Sequence, residues 1–143
     1  AGFPEGHVQS PNLESDRKYL KLKIDAGANF IITQFFFSNK KFFAWRDGMK
    51  ELGSSVPLIP GIWLPSNADI THKFSKMNQV EIPHAILDIY EKYPEGEDRL
   101  KACQDFTRNQ VAELVKEGVP GFHVYSFNQE LPVEALSDYF NIA

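Results

Sequence analysis

Apolar residues along the chain fall into short strand-like runs separated by longer amphipathic stretches. Residues 1–4 read as the end of a strand. Ser10 followed by Pro11 offers a cap and a first-turn proline for a helix running to about Ala26, where Gly27 stops it. Leu13, Leu20 and Ile24, spaced seven and four apart, put one apolar stripe on that helix. The apolar run from Asn29 to Ile32 predicts a strand over 29–33. Thr33 and Gln34 then turn polar where a parallel strand would give way to a loop. A second helix is predicted from about Asn39 to Leu52, ended by Gly53. Pro57 to Ile62 is apolar on both faces, the pattern of a parallel strand covered by helices. Residues 67–117 hold helical patterns broken at Pro83 and at Pro94-Glu95-Gly96, and the last of them, about Glu97 to Lys116, is the longest. A strand at 121–127 and a helix from about Pro132 to Phe140 complete the pattern.

This order is β-α-β-α-β-α-β-α, with extra helices in the third βα unit. Such alternation implies an α/β fold with a parallel sheet and helical crossovers, and four units make half of a TIM (βα)8 barrel. The 143 residues fit a single domain. Four parallel strands cannot close on themselves, so a half-barrel exposes two sheet edges and an apolar face. The cover is an N-terminal half of the same polypeptide, a second copy in a homo-oligomer, or a flatter arrangement of this piece. The chain starts at Ala1 on what reads as a strand end, so it is expected to be part of a longer protein.

Composition narrows the function classes. A hydrophobic share of 43% supplies a core, and a net charge of −4 without a stripe of Lys and Arg argues against nucleic acid. Apolar runs such as Phe30 to Ile32 fall far short of the roughly 20 residues of a membrane span. No signal-peptide or transit pattern is read near the start. Cys103 is the single cysteine, which fits a reducing, cytoplasmic setting and a buried thiol. The histidines at 7, 72, 84 and 123 are too scattered for a metal site, so none is expected.

Candidate chemistry gathers at the strand ends, where α/β folds hold ligands. Gln34 offers a carbonyl and an amide, which suits a heteroaromatic ring presenting a donor beside an acceptor; its other role is to cap the next helix. Asp16 and Lys23 are seven residues apart, about 20° around a helix. At a cleft rim they suit a ribose hydroxyl and a phosphate, and otherwise they are a solvated helix face. His7 sits in a glycine-containing loop, where it either donates to an anion or solvates the turn. His123 and Tyr125 share one face of the last strand, with Tyr125 the stronger candidate for ligand contact. Phe35, Phe36, Phe37, Phe42 and Phe43 form a dense aromatic cluster, most of it core.

The phrases AGFPEGH at 1–7 and DAGANFIITQFFF at 25–37 resemble G-[FY]-P-x-G-H and D-A-G-A-[ND]-x-x-I-T-Q-x-F-F of the flavin-dependent methylenetetrahydrofolate reductases. The resemblance continues through IPGI at 59–62, KF at 73–74 and GFHVYSFN at 121–128. It implies an enzyme of one-carbon metabolism and methionine biosynthesis in which NAD(P)H reduces FAD, and the flavin reduces 5,10-methylenetetrahydrofolate to 5-methyltetrahydrofolate. It also implies flavin contacts by Phe3, His7, Asp16, Tyr19 and Lys23, with Lys23 near the diphosphate. Folate or nicotinamide contacts are implied for Gln34, Phe42, Phe74 and Tyr125, and for Gln129, which stands where many members carry an arginine. Phe3 replaces a common tyrosine, and Val8 a common proline. The family's acid, a glutamate, and an aspartate near the flavin pyrimidine belong to the first half of the barrel. This chain is therefore expected to be catalytically silent alone. The competing expectation is a non-catalytic half-barrel module that binds a nucleotide or a partner protein.

Overall fold

A computed structural model describes residues 1–139. Along the chain run α1 (Leu13–Asp25), β1 (Ile31–Phe35), α2 (Asn39–Glu51), β2 (Leu58–Ile62), α3 (Ala68–Asn78), α4 (His84–Lys92), α5 (Glu97–Lys116), β3 (His123–Val124), α6 (Leu131–Glu134) and a 3-10 turn at Ser137–Tyr139. The three strands pair in parallel in the order β1-β2-β3. A parallel bridge from Gly2 to Thr33 adds a fourth position outside β1. Four parallel positions in chain order, linked by helical crossovers, give the α/β half-barrel expected, with α3, α4 and α5 in the third unit.

Two layers of side chains hold the sheet. On one face Leu20 of α1, Phe42, Trp45 and Met49 of α2, and Val111 and Leu114 of α5 close over Ile31, Leu58 and Ile62. At the C-terminal ends of the strands a second cluster joins Phe35, Phe37 and Trp63 to Val80 and Ile86, with Phe74 and Tyr125 packed against it. That second cluster brings α3 and α4 over the strand ends.

Several boundaries differ from the sequence expectation. α1 begins at Leu13, capped by Asn12 Oδ1, which accepts from Ser15 N at 2.8 Å. Ser10 does not cap it, because its hydroxyl donates to Asp16 Oδ1 at 2.9 Å. Leu13 lies in the first turn and is exposed, so the inward stripe is the buried Leu20 with the partly buried Ile24. The stop at Gly27 holds, with φ of +111°. β1 runs two residues later than expected, since Asn29 and Phe30 face solvent and the ladder starts with Ile31 N donating to Pro57 O at 2.9 Å. Gln34 is thus inside the strand, its N–H bonded to Gly2 O at 2.7 Å. β3 is only His123–Val124, because the ladder to β2 ends shortly before Phe127 and Asn128 turn left-handed. The helix expected over Pro132 to Phe140 splits into α6 and the 3-10 turn, and Phe140 lies outside the described residues.

Candidate functional site

The loop after Gly2 folds back through a turn, with Gly6 N donating to Phe3 O at 2.9 Å and Gly6 at a φ of +91° that glycine tolerates best. This turn sets Phe3 against His7, edge to face with ring centroids 4.6 Å apart. Across from it α1 presents Asp16, Tyr19 and Lys23, which fall on one side of the helix. Together these five residues line a groove of about 540 Å³. Asp16 is 7% exposed, so its carboxylate forms part of the floor, while Tyr19, 59% exposed, and Lys23 form the outer rim. The solvated-face reading of Asp16 is therefore replaced by a buried acceptor. Gln9 N donates to His7 Nδ1 at 3.2 Å, which leaves Nε2–H as the donor of the neutral ring.

Next to this groove, Gln34 projects into a narrow niche bordered by Phe3, Gly6 and Asn78. Its Nε2 donates to Asn78 Oδ1 at 2.8 Å, and its Oε1 accepts from Phe35 N at 3.0 Å. One amide N–H and one lone pair are left for a ligand. The register between β1 and β2 shifts between Ile32 and Phe35, and Thr33 Oγ1 accepts from Gly61 N at 2.9 Å in place of a ladder bond. Such irregularities re-aim side chains beside binding sites. Phe3 borders both the niche and the α1 groove, which joins the two.

A third cavity, of about 550 Å³, opens beyond β2 and is walled by Trp63, Phe74, Tyr125 and Phe127, with Gln129 at its margin. Trp63 meets Phe74 edge to face at 5.4 Å and Phe127 at a tilt of 59° at 5.6 Å. Tyr125 crosses the sheet to donate to Thr33 O at 2.9 Å, one residue before Gln34. Burial pushes its hydroxyl above the usual tyrosine range, so it stays a donor. His123 packs its ring on Tyr125 at 4.7 Å, on the same face, as the alternation requires. Tyr125 thus reaches the β1 backbone beside Gln34, while the two side chains line separate cavities and the α1 groove adjoins the Gln34 niche at Phe3.

Phe42 is the exception among the expected ligand contacts. It is 0% exposed, stacked on Phe36 with centroids 5.1 Å apart and planes 5° apart, in the core between α2 and the sheet. Its position inside the helix-sheet layer denies it any ligand, and the expectation of substrate contact is corrected to core packing.

Other residues at the site carry no local sequence signal. Lys41 of α2 donates both to Glu5 Oε2 and, at 2.6 Å, to Glu81 Oε2, while Glu81 N donates to Glu5 Oε2 at 3.2 Å. This clamp ties the turn carrying Phe3 and His7 to the segment after α3, next to Asn78. Hydrogen bonding to Lys41 lowers the Glu81 carboxyl from its ordinary 4.5. Burial opposes the Lys41 charge, but hydrogen bonds to Glu5 and Glu81 outweigh it and raise the ammonium above 10.5. A carboxyl lowered on folding adds stability above pH 4.5 that is lost as pH falls through its folded value. An ammonium raised on folding adds stability below pH 10.5 that is lost as pH climbs through its folded value. Lys41→Met is therefore expected to melt below the parent at neutral pH, with the gap narrowing below about pH 4. Thermal melts across pH check this, and a gap as large at pH 3 as at pH 7 would count against the clamp.

Among the described residues no group of three or more His, Cys, Asp or Glu is placed to hold a metal, and no helix is long and apolar enough to cross a membrane. Cys103 is buried, with its thiol pushed up to about 11 by burial, which suits packing rather than nucleophilic chemistry.

The model of the methylenetetrahydrofolate reductase family matches residues 1–139. A 5,10-methylenetetrahydrofolate reductase of Buchnera aphidicola is 34% identical over 143 residues, covering 99% of this chain and 49% of that protein. The Escherichia coli 5,10-methylenetetrahydrofolate reductase is 35% identical over 130 residues, covering 90% of this chain and 44% of that protein. A probable methylenetetrahydrofolate reductase (NADPH) of Caenorhabditis elegans is 36% identical over 135 residues, 91% of this chain and 20% of that protein. The chain thus spans less than half the length of these relatives. Among solved structures, an uncharacterized protein from Clostridium thermocellum that binds two copies of 5-methyl-5,6,7,8-tetrahydrofolic acid superposes with a TM-score of 0.65 at 18% identity, over 96% of this chain and 51% of that one. That likeness bears on the fold, and the match over residues 1–139 decides the family: this chain belongs to the methylenetetrahydrofolate reductase family.

Proposed function

We propose that this chain is the C-terminal half of a reductase barrel that holds FAD along α1 and a folate between Gln34, Phe74 and Tyr125. In this reading it forms part of a cytoplasmic enzyme that uses NAD(P)H to reduce 5,10-methylenetetrahydrofolate to 5-methyltetrahydrofolate. The observation that carries the reading is that Phe3, His7, Asp16, Tyr19 and Lys23 border one groove. That donor set fits a flavin nucleotide. The Phe3 and His7 rings give it a wall, the Asp16 carboxylate accepts from a ribose hydroxyl, and the Lys23 ammonium meets a diphosphate. FAD supplies the hydride relay between NAD(P)H and the folate; the protein supplies orientation. The remaining N–H and lone pair of Gln34 pair with a ring that presents acceptor and donor side by side. The Phe74 ring stacks on the flat part of the ligand.

In this reading the sheet edges at Gly2 and β3 are covered by a further four βα units of the same polypeptide, which also bring the acid for the folate nitrogen. The isolated chain is accordingly expected to retain no flavin through purification and to show no NAD(P)H oxidation with FAD and folate supplied. Sustained turnover by the 143 residues alone would refute this division of the site. Yellow protein with firmly held FAD but no turnover would favour a self-sufficient binding module.

A further inference from the structure

The Gln34 amide belongs to a chain of hydrogen bonds that runs one way. Phe35 N donates to Gln34 Oε1 at 3.0 Å, Gln34 Nε2 donates to Asn78 Oδ1 at 2.8 Å, and Asn78 Nδ2 donates to Phe74 O at 2.9 Å. Both ends are backbone groups, an N–H that only donates and a carbonyl that only accepts. Neither amide can therefore turn over, alone or with the other, without setting like against like. A turned Gln34 would face its NH2 to the Phe35 N–H, and a turned Asn78 would face its oxygen to Phe74 O. The niche around Gln34 and Asn78 holds about 10 Å³, the lower limit for a single water, so no solvent network replaces this pairing. Asn78 is itself held in place. It is the last residue of α3, followed by Gln79 at a φ of +53° and by Val80 N donating to Ser75 O at 2.9 Å. Three residues beyond Asn78, the Lys41 clamp fixes Glu81.

We infer that Asn78 is a positioning residue: it fixes the direction of the Gln34 amide and thereby the order of donor and acceptor that the site accepts on a ring edge. The inference rests on the folate reading proposed above. In the pterin of 5-methyltetrahydrofolate, N3–H stands beside the 4-oxo oxygen. The 4-amino-4-deoxy analogue reverses that order, with N3 an acceptor and the amino group a donor. While the rest of the molecule holds the ring in one pose, a fixed amide pairs with one order and leaves buried polar groups unpaired against the other.

The test is equilibrium binding of both compounds to the intact, FAD-loaded polypeptide of which this chain is, in that reading, the C-terminal half, beside its Asn78→Leu and Asn78→Asp variants. The parent is expected to favour 5-methyltetrahydrofolate over the analogue by about tenfold. Asn78→Leu keeps the size of the side chain but removes the acceptor, so Gln34 is free to turn. The preference should then fall to about twofold, mostly through weaker binding of 5-methyltetrahydrofolate. FAD content should be unchanged, because Asn78 does not line the α1 groove, and this also reports that the variant has folded. Asn78→Asp keeps an acceptor for Gln34 Nε2 and should keep most of the preference, a rescue that a packing role would not produce. An Asn78→Leu variant that retains the parent's preference, or an Asn78→Asp variant that loses it equally, overturns the inference while the folate reading stands. A parent that binds 5-methyltetrahydrofolate with no preference over the analogue overturns it as well. If the parent binds neither compound, the folate reading fails and the inference with it.

Discussion

Phe42→Ala is expected to cost about 3–5 kcal/mol of stability, a large part of the roughly 5–15 kcal/mol that holds a domain together. Phe42 is fully buried, lies nearly parallel to Phe36, and touches Phe43 and Trp45 with centroids 5.8 and 6.0 Å away. Truncation leaves a hole between α2 and the sheet that rigid neighbours cannot fill. Chemical denaturation would register the loss as a lower midpoint with an unchanged slope. The family resemblance assigns this position to the ligand, and the two assignments separate cleanly. A variant with near-parent stability but lost folate binding would restore the ligand role and contradict the burial.

Gly61→Ala should be comparably damaging from a single added methyl group. A Cβ at Gly61 would sit 2.4 Å from Thr33 O and 2.7 Å from the Tyr125 ring. The first contact is with backbone, so β1 and β2 must separate or Tyr125 must leave Thr33. A loss of about 3 kcal/mol is expected, together with the Tyr125 hydrogen bond that spans the mouth of the site. The measurement is a thermal melt paired with the near-ultraviolet circular dichroism of the aromatic cluster. An unshifted melt and unchanged aromatic signal would show that the sheet has slack at this crossing.

These two residues also mark where sequence reasoning reaches and where it stops. The order of elements was legible because each strand run and each amphipathic segment is punctuated by its own Gly or Pro, as at Gly27, Gly53 and Pro83. Gln34 was legible because polarity changes abruptly after Ile31 and Ile32. The joint placement of Asp16 and Lys23 followed from helix periodicity, although the burial of Asp16 depends on Ser10 turning away from the helix cap. Phe42 and Phe74 look alike in sequence, both aromatic on helices. Only the packing of α2 flat on the sheet, against α3 over the strand ends, separates a core ring from a cavity wall. The Glu5, Lys41 and Glu81 clamp was not legible, because its members are 36 and 40 residues apart in sequence and each looks like ordinary surface charge. Trp63 was missed because it follows β2 directly and reads as one more apolar residue of that run.

In the proposed reading, one end of this parallel sheet carries a nucleotide groove on α1 and an aromatic folate cavity beyond β2. Titrating the isotopically labelled chain first with FAD and then with 5-methyltetrahydrofolate tests it directly. FAD is predicted to move the resonances of His7, Asp16 and Lys23, and the folate those of Gln34, Phe74 and Tyr125, with Phe3 responding to both. Shifts concentrated instead at Gly53 and Gly118, remote from both grooves, would contradict it.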